Sequence, residues 1–60
     1  MQEKWVKWNG GLDEVPKKLY LESITDNEKG LTLVFSNENS TRFFRFIYED
    51  SVLLIEIKCL

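Results

Sequence analysis

The sequence predicts an all-β fold, a single small antiparallel four-stranded β-meander or half-barrel behind an N-terminal arm. From Lys18 onward, short runs rich in β-branched and aromatic residues alternate with clusters of Asn, Asp, Ser and Gly, which is the spacing of strands and turns. No helical apolar period competes with that alternation. The 60 residues allow one domain, spanning 1–60, and a chain of this size buries only about 60% of the surface its unfolded form exposes.

In chain order, residues 1–17 form the arm and residues 18–60 the meander. The arm carries Trp5, Val6, Trp8, Leu12 and Val15, with a hinge at Gly10-Gly11, and Pro16 marks its end at a position where proline costs no ladder bond. The strands are expected at Lys18–Thr25, Leu31–Asn37, Thr41–Tyr48 and Val52–Cys59. Asp26 to Gly30, Glu38-Asn39 with its flanks, and Glu49-Asp50-Ser51 separate them.

Cross-strand partners must share a face, so the register can be tested against itself. A tight turn at Asp50-Ser51 sets Tyr48 opposite Leu53, Phe46 opposite Ile55 and Phe44 opposite Ile57 on one face, with Ile47 by Leu54 and Arg45 by Glu56 on the other. A turn at Glu38-Asn39 sets Leu33 opposite Phe44 and Leu31 opposite Phe46, with Val34 meeting Phe43 behind. An odd number of residues in the first loop brings Leu19 and Leu21 to the side of Phe35, with Gly30 at positive φ. The resulting apolar face runs through Leu19, Leu21, Leu31, Leu33, Phe35, Phe44, Phe46, Tyr48, Leu53, Ile55 and Ile57. The reverse is mixed, with Tyr20, Glu22, Ile24, Thr32, Val34, Phe43, Arg45, Ile47, Leu54, Glu56 and Lys58. Either the arm covers the apolar face or another chain does.

Chemistry of the chain's own is not expected. There is no His and Cys59 is alone, so the commonest general base, an internal disulfide and a structural zinc site are all missing. No neighbour activates a Ser or the thiol, and Cys59 reads as a small apolar filler. Glu49-Asp50, taken with Glu38 or Asp26, and Asp13-Glu14 read as solvated acids, because hard-cation sites want about six or more oxygens at defined spacing. The reading is therefore a non-enzyme with no catalytic residue, no cofactor and no metal. The apolar run from Val52 to Ile55 is far below the roughly 18–20 residues of a membrane span, and the unpaired thiol suits the reducing cytoplasm. In that compartment the Asn39-Ser40-Thr41 sequon reads as chance. A formal net charge of −2 with interspersed signs argues against a polyanion partner, whose binding draws on a basic patch.

Trp5 and Trp8 before a loop, then Pro16, Leu19-Tyr20-Leu21-Glu22-Ser23-Ile24, Asp26 and Gly30-Leu31, form a pattern over residues 5–35 that resembles the opening of small uncharacterised bacterial β-proteins. Some members of those groups are suspected immunity proteins against secreted toxins or phage-borne inhibitors. The resemblance implies an inhibitory contact with another protein. It also implies a longer meander, which predicts that a second copy or a partner supplies further strands.

The functional expectation is thus a non-catalytic protein-binding module, a homodimer or higher oligomer or an inhibitor, whose contact residues are Trp5, Trp8, Tyr20, Phe43, Arg45, Ile47 and Leu54. β-addition across the first or last strand is the simplest route to a symmetric dimer. Trp5 and Trp8 would share a face of a helix if the arm coiled, and otherwise form a lid on the sheet. Two rivals stand beside this reading. The interleaved Arg42, Phe43, Phe44, Arg45 and Phe46 would suit stacking of single-stranded bases, and a structural subunit of an assembly needs the same adhesive edges.

Overall fold

A hairpin closes most readily where two consecutive residues accept positive φ, because that backbone twist matches the right-handed twist of the flanking strands. Asp50 (φ 52°) and Ser51 (φ 64°) do so here. The computed structural model describes residues 4–60 and shows an all-β chain of five antiparallel strands, β1 (Val6–Lys7), β2 (Tyr20–Asn27), β3 (Gly30–Ser36), β4 (Arg42–Glu49) and β5 (Val52–Cys59). They form one open sheet in the order β1-β5-β4-β3-β2. At the Asp50-Ser51 turn, β4 and β5 pair as the sequence predicts: Tyr48 with Leu53, Phe46 with Ile55, Phe44 with Ile57, Ile47 with Leu54, and Arg45 with Glu56.

The fifth strand corrects the expected four. Val6 pairs with Ile57 and Lys7 with Glu56, and the Trp8 amide donates to the Ile55 carbonyl at 2.8 Å. The arm therefore satisfies part of the outer edge of β5 before it crosses the sheet, since a bare edge leaves backbone donors and acceptors unpaired. It then makes a single 3-10 turn at Leu12–Glu14. The first meander strand begins at Tyr20, later than the Lys18 start expected from Pro16, and the sheet edges are β1 and β2, so β5 is an edge only beyond β1.

The middle hairpin is displaced by two residues from the predicted register: Leu33 lies opposite Phe46, Leu31 opposite Tyr48, Phe35 opposite Phe44 and Val34 opposite Arg45. Asn37 explains the longer loop. Its Oδ1 accepts from the Thr41 amide at 2.9 Å and the Arg42 amide at 3.1 Å, and its Nδ2 donates to Thr41 Oγ1 at 3.0 Å. Ser40, at φ 57°, completes the turn. A shift of two preserves every side chain's face, so the apolar ladder survives with different partners.

The first hairpin reaches the expected outcome by another route. Asn27 pairs with Gly30 across Glu28-Lys29, an even loop, and Asn27 Oδ1 accepts from the amides of Lys29 (2.8 Å) and Gly30 (3.0 Å). The side chain thus bends the chain as an Asx turn does. Gly30 does not take a positive φ; a Cβ there would collide with the Tyr48 carbonyl oxygen, so glycine serves a close strand approach instead. The parity change comes from a bulge. Leu21 pairs with Phe35 and Ser23 with Val34, leaving Glu22 as the extra residue. Ile24, opposite Leu33, consequently joins the apolar face, which corrects its assignment to the reverse.

Among the described residues Phe44, 2% exposed, is the one apolar side chain fully withdrawn from water. Trp8 meets it edge-on, with ring centroids 5.5 Å apart at 77°. Phe35 and Phe46 make a second edge-to-face pair, also at 5.5 Å, a geometry favoured by the ring quadrupoles. Among the described residues no helix is long and apolar enough to cross a membrane.

Candidate protein-binding face

The apolar face is built in three rows across the strands. The first row, nearest the chain entry to β2, holds Leu21, Phe35, Phe44, Ile57 and Val6; the second holds Ile24, Leu33, Phe46, Ile55 and Trp8; the third, by the hairpin turns, holds Leu31, Tyr48 and Leu53 with Asp26. Burial is greatest at Phe44 and falls away from it in two directions. Toward the turns Tyr48 is 50% and Leu53 48% exposed, and toward the β2 edge Leu21 is 51% and Ile24 57% exposed. The arm lies over part of this face but does not close it. Leu12 and Val15 from the arm and Leu19 just before β2, with Leu33, Phe46 and Leu53 from the sheet, border an open groove of about 530 Å³. Leu12 itself is 64% exposed.

The reverse face is organised around a charge pair. Arg45 Nε donates to Glu56 Oε1 at 2.7 Å and its Nη2 reaches the same oxygen. Trp5 lies over this pair, its ring centroid 4.4 Å from the Arg45 guanidinium carbon and 5.0 Å from Lys58 Nζ. Lys58 Nζ is also 5.2 Å from the Phe43 ring centroid. Two aromatic rings thus flank two cations, one of which a carboxylate already neutralises. Ser36, 2% exposed, donates its hydroxyl to Glu22 Oε2 at 2.5 Å.

Of the residues expected to touch a partner, Trp5, Phe43 and Arg45 meet around Lys58, Ile47 pairs with Leu54, and Tyr20 is separated from Phe43 by Ser36. Trp8 stands apart on the apolar face. Trp5 and Trp8 do not share a helical face, because the segment between them is strand and an odd spacing sends them to opposite sides. Trp8 acts as the expected lid; Trp5 covers the reverse.

Tyr48, Leu53, Leu21, Ile24 and Leu12 form the most exposed apolar surface on the groove side, and none belongs to the expected contact set. The signal for them lay in proportion: an arm with five apolar residues cannot shield a face to which four strands contribute two or more each. Among the described residues no three His, Cys, Asp or Glu side chains gather closely enough to hold a metal ion. Comparison with protein-family models, with curated proteins and with solved structures gives no match.

Proposed function

We propose that the chain is a non-catalytic protein-binding module, acting by self-association or by an inhibitory contact of the immunity-protein kind, and that its contact surface is the open apolar face. One observation supports this most directly: exposed Leu12 and Leu53 border a groove that Leu33 and Phe46 also line, and exposed Tyr48, Leu21 and Ile24 lie on the same face of the sheet. Contiguous apolar surface of this sort, rimmed by polar residues, marks interaction sites on small proteins. The reading needs no cofactor and places the protein in the cytoplasm. It moves the contact from the reverse face, where Arg45, Glu56, Trp5 and Lys58 are largely engaged with one another.

A photo-crosslinking side chain placed at Leu53, and separately at Thr32 on the reverse face, tests the reading in the native cell. Polypeptide adducts are expected from position 53 and not from position 32. Absence of any protein adduct from position 53 would overturn it, and adducts to RNA would favour the single-stranded nucleic-acid reading.

A further inference from the structure

We infer that the occupant of the open apolar face is a second copy of this chain, docked face to face in antiparallel orientation about a two-fold axis that runs across the strands. The inference rests on the protein-binding reading above and adds the identity and orientation of the partner.

Charge is the first argument. The strands run between two ends of opposite sign. At the end where β2 and β4 begin lie Lys18 and Arg42, with Lys4 just before β1, against Glu22, which bonds Ser36, and Glu38. At the other end Asp26 of β2 shares the apolar face with Leu31, and the two hairpin turns carry Glu28 and Asp50 against Lys29. A two-fold axis across the strands sets the basic end of each copy over the acidic end of the other. The alternative axis, along the strands, would stack like charge on like.

Shape is the second argument. The arm raises the half of the face around Phe44 and leaves the half bearing Tyr48 and Leu53 low. The same rotation that matches the charges brings the raised half of one copy over the low half of its partner. An interface of standard size, about 800 Å² per partner, would take about a sixth of the 4665 Å² this chain exposes.

Sedimentation velocity on the full chain, from about 1 to 100 µM, reads the outcome. The wild type is expected to pass from monomer to dimer over that range. Leu53→Asp should raise the dissociation constant at least about 30-fold, the scale of a contact hot spot, whereas Leu54→Asp on the reverse face should leave it within about threefold. Charge reversal gives a readout independent of the core. The double variant Lys18→Glu, Arg42→Glu should weaken the dimer about tenfold, and adding Asp26→Lys, Glu28→Lys should restore it. Circular dichroism confirms that each variant is folded. A chain that stays monomeric throughout overturns the second-copy assignment. A dimer broken by Leu54→Asp and not by Leu53→Asp overturns the face, and one indifferent to charge reversal overturns the orientation. If the chain is monomeric yet crosslinks from position 53 reach a different protein, the protein-binding reading stands and the second copy alone is lost.

Discussion

Leu21 and Ile24 of β2 project from the same face of the sheet although three positions separate them, because Glu22 bulges out of the ladder between their partners Phe35 and Leu33. An unbroken strand would have sent one of the two to the reverse. The bulge therefore adds a residue to the apolar face, and it also twists an otherwise long, exposed edge away from indiscriminate strand addition.

That bulge is held by the Ser36 hydroxyl, buried beneath the sheet surface, donating to Glu22 at 2.5 Å. Glu22→Ala should cost about 1–2 kcal/mol, because it strips the partner from a buried hydroxyl, whereas Ser36→Ala should cost less, since the exposed carboxylate is rehydrated. Urea denaturation of the two variants gives the comparison. Equal losses would mean that the bond does not hold the bulge.

Phe44 and Phe43 are neighbours in sequence with opposite roles. Phe44 sits under Trp8 at the centre of the covered half, so Phe44→Ala should cost about 3–5 kcal/mol, enough to unfold a domain of this size at room temperature. Phe43 is half-buried on the reverse face near Lys58, and its removal should cost about 1–2 kcal/mol. Thermal melts followed by tryptophan fluorescence distinguish the two.

The Arg45–Glu56 pair is about a third exposed on each side chain, so screening by water keeps its coupling small. A double-mutant cycle with Arg45→Met and Glu56→Gln should give about 0.5–1 kcal/mol, declining with added salt. Trp5→Leu should lower stability by a comparable amount through loss of the ring over the guanidinium. A coupling unchanged by salt would indicate a drier site than this geometry describes.

How much of this was legible in the residues follows from what set each feature. Period-two alternation placed Phe44, Phe46, Tyr48, Leu53, Ile55 and Ile57 together and paired Arg45 with Glu56, because the Asp50-Ser51 turn admits one register. The other two hairpins depend on single side-chain bonds from Asn37 and Asn27. Such bonds choose among turns that alternation allows equally, which is why the middle register came out two residues away with its faces intact. The bulge at Glu22 left no pattern distinguishable from an odd loop. Most consequential for the site, the arm's role as a short fifth strand hides in Val6 and Lys7, too few residues to alternate visibly. Its pairing with β5 removes part of the arm from the face it was expected to cover, and so leaves Tyr48 and Leu53 open.

Gly30 tests whether a glycine is retained for approach or for dihedral freedom. Its φ is not positive, and a Cβ would meet the Tyr48 carbonyl oxygen on β4. Gly30→Ala should therefore lose about 1–3 kcal/mol through overpacking of backbone against backbone. Gly30→D-Ala, made by chemical synthesis, should bring no rescue, although it would rescue a left-handed position. Chemical denaturation of the two variants is the measurement, and recovery with D-Ala would reverse the assignment.

The Asp50-Ser51 turn makes the opposite demand, because both residues sit at positive φ, 52° and 64°, where a side chain crowds the following carbonyl. Ser51→Gly leaves the Asp-Gly pair that two-residue hairpins of this twist prefer. It should add about 0.5 kcal/mol, the relief of crowding being partly offset by the extra freedom of glycine in the unfolded chain. Ser51→Val should lose about 1–2 kcal/mol, since a β-branched residue is least tolerant of this region. The pair of variants brackets the turn's contribution without touching either face of the sheet. Their midpoints in urea should therefore move in opposite directions, while the concentration dependence of sedimentation in native buffer stays that of the wild type.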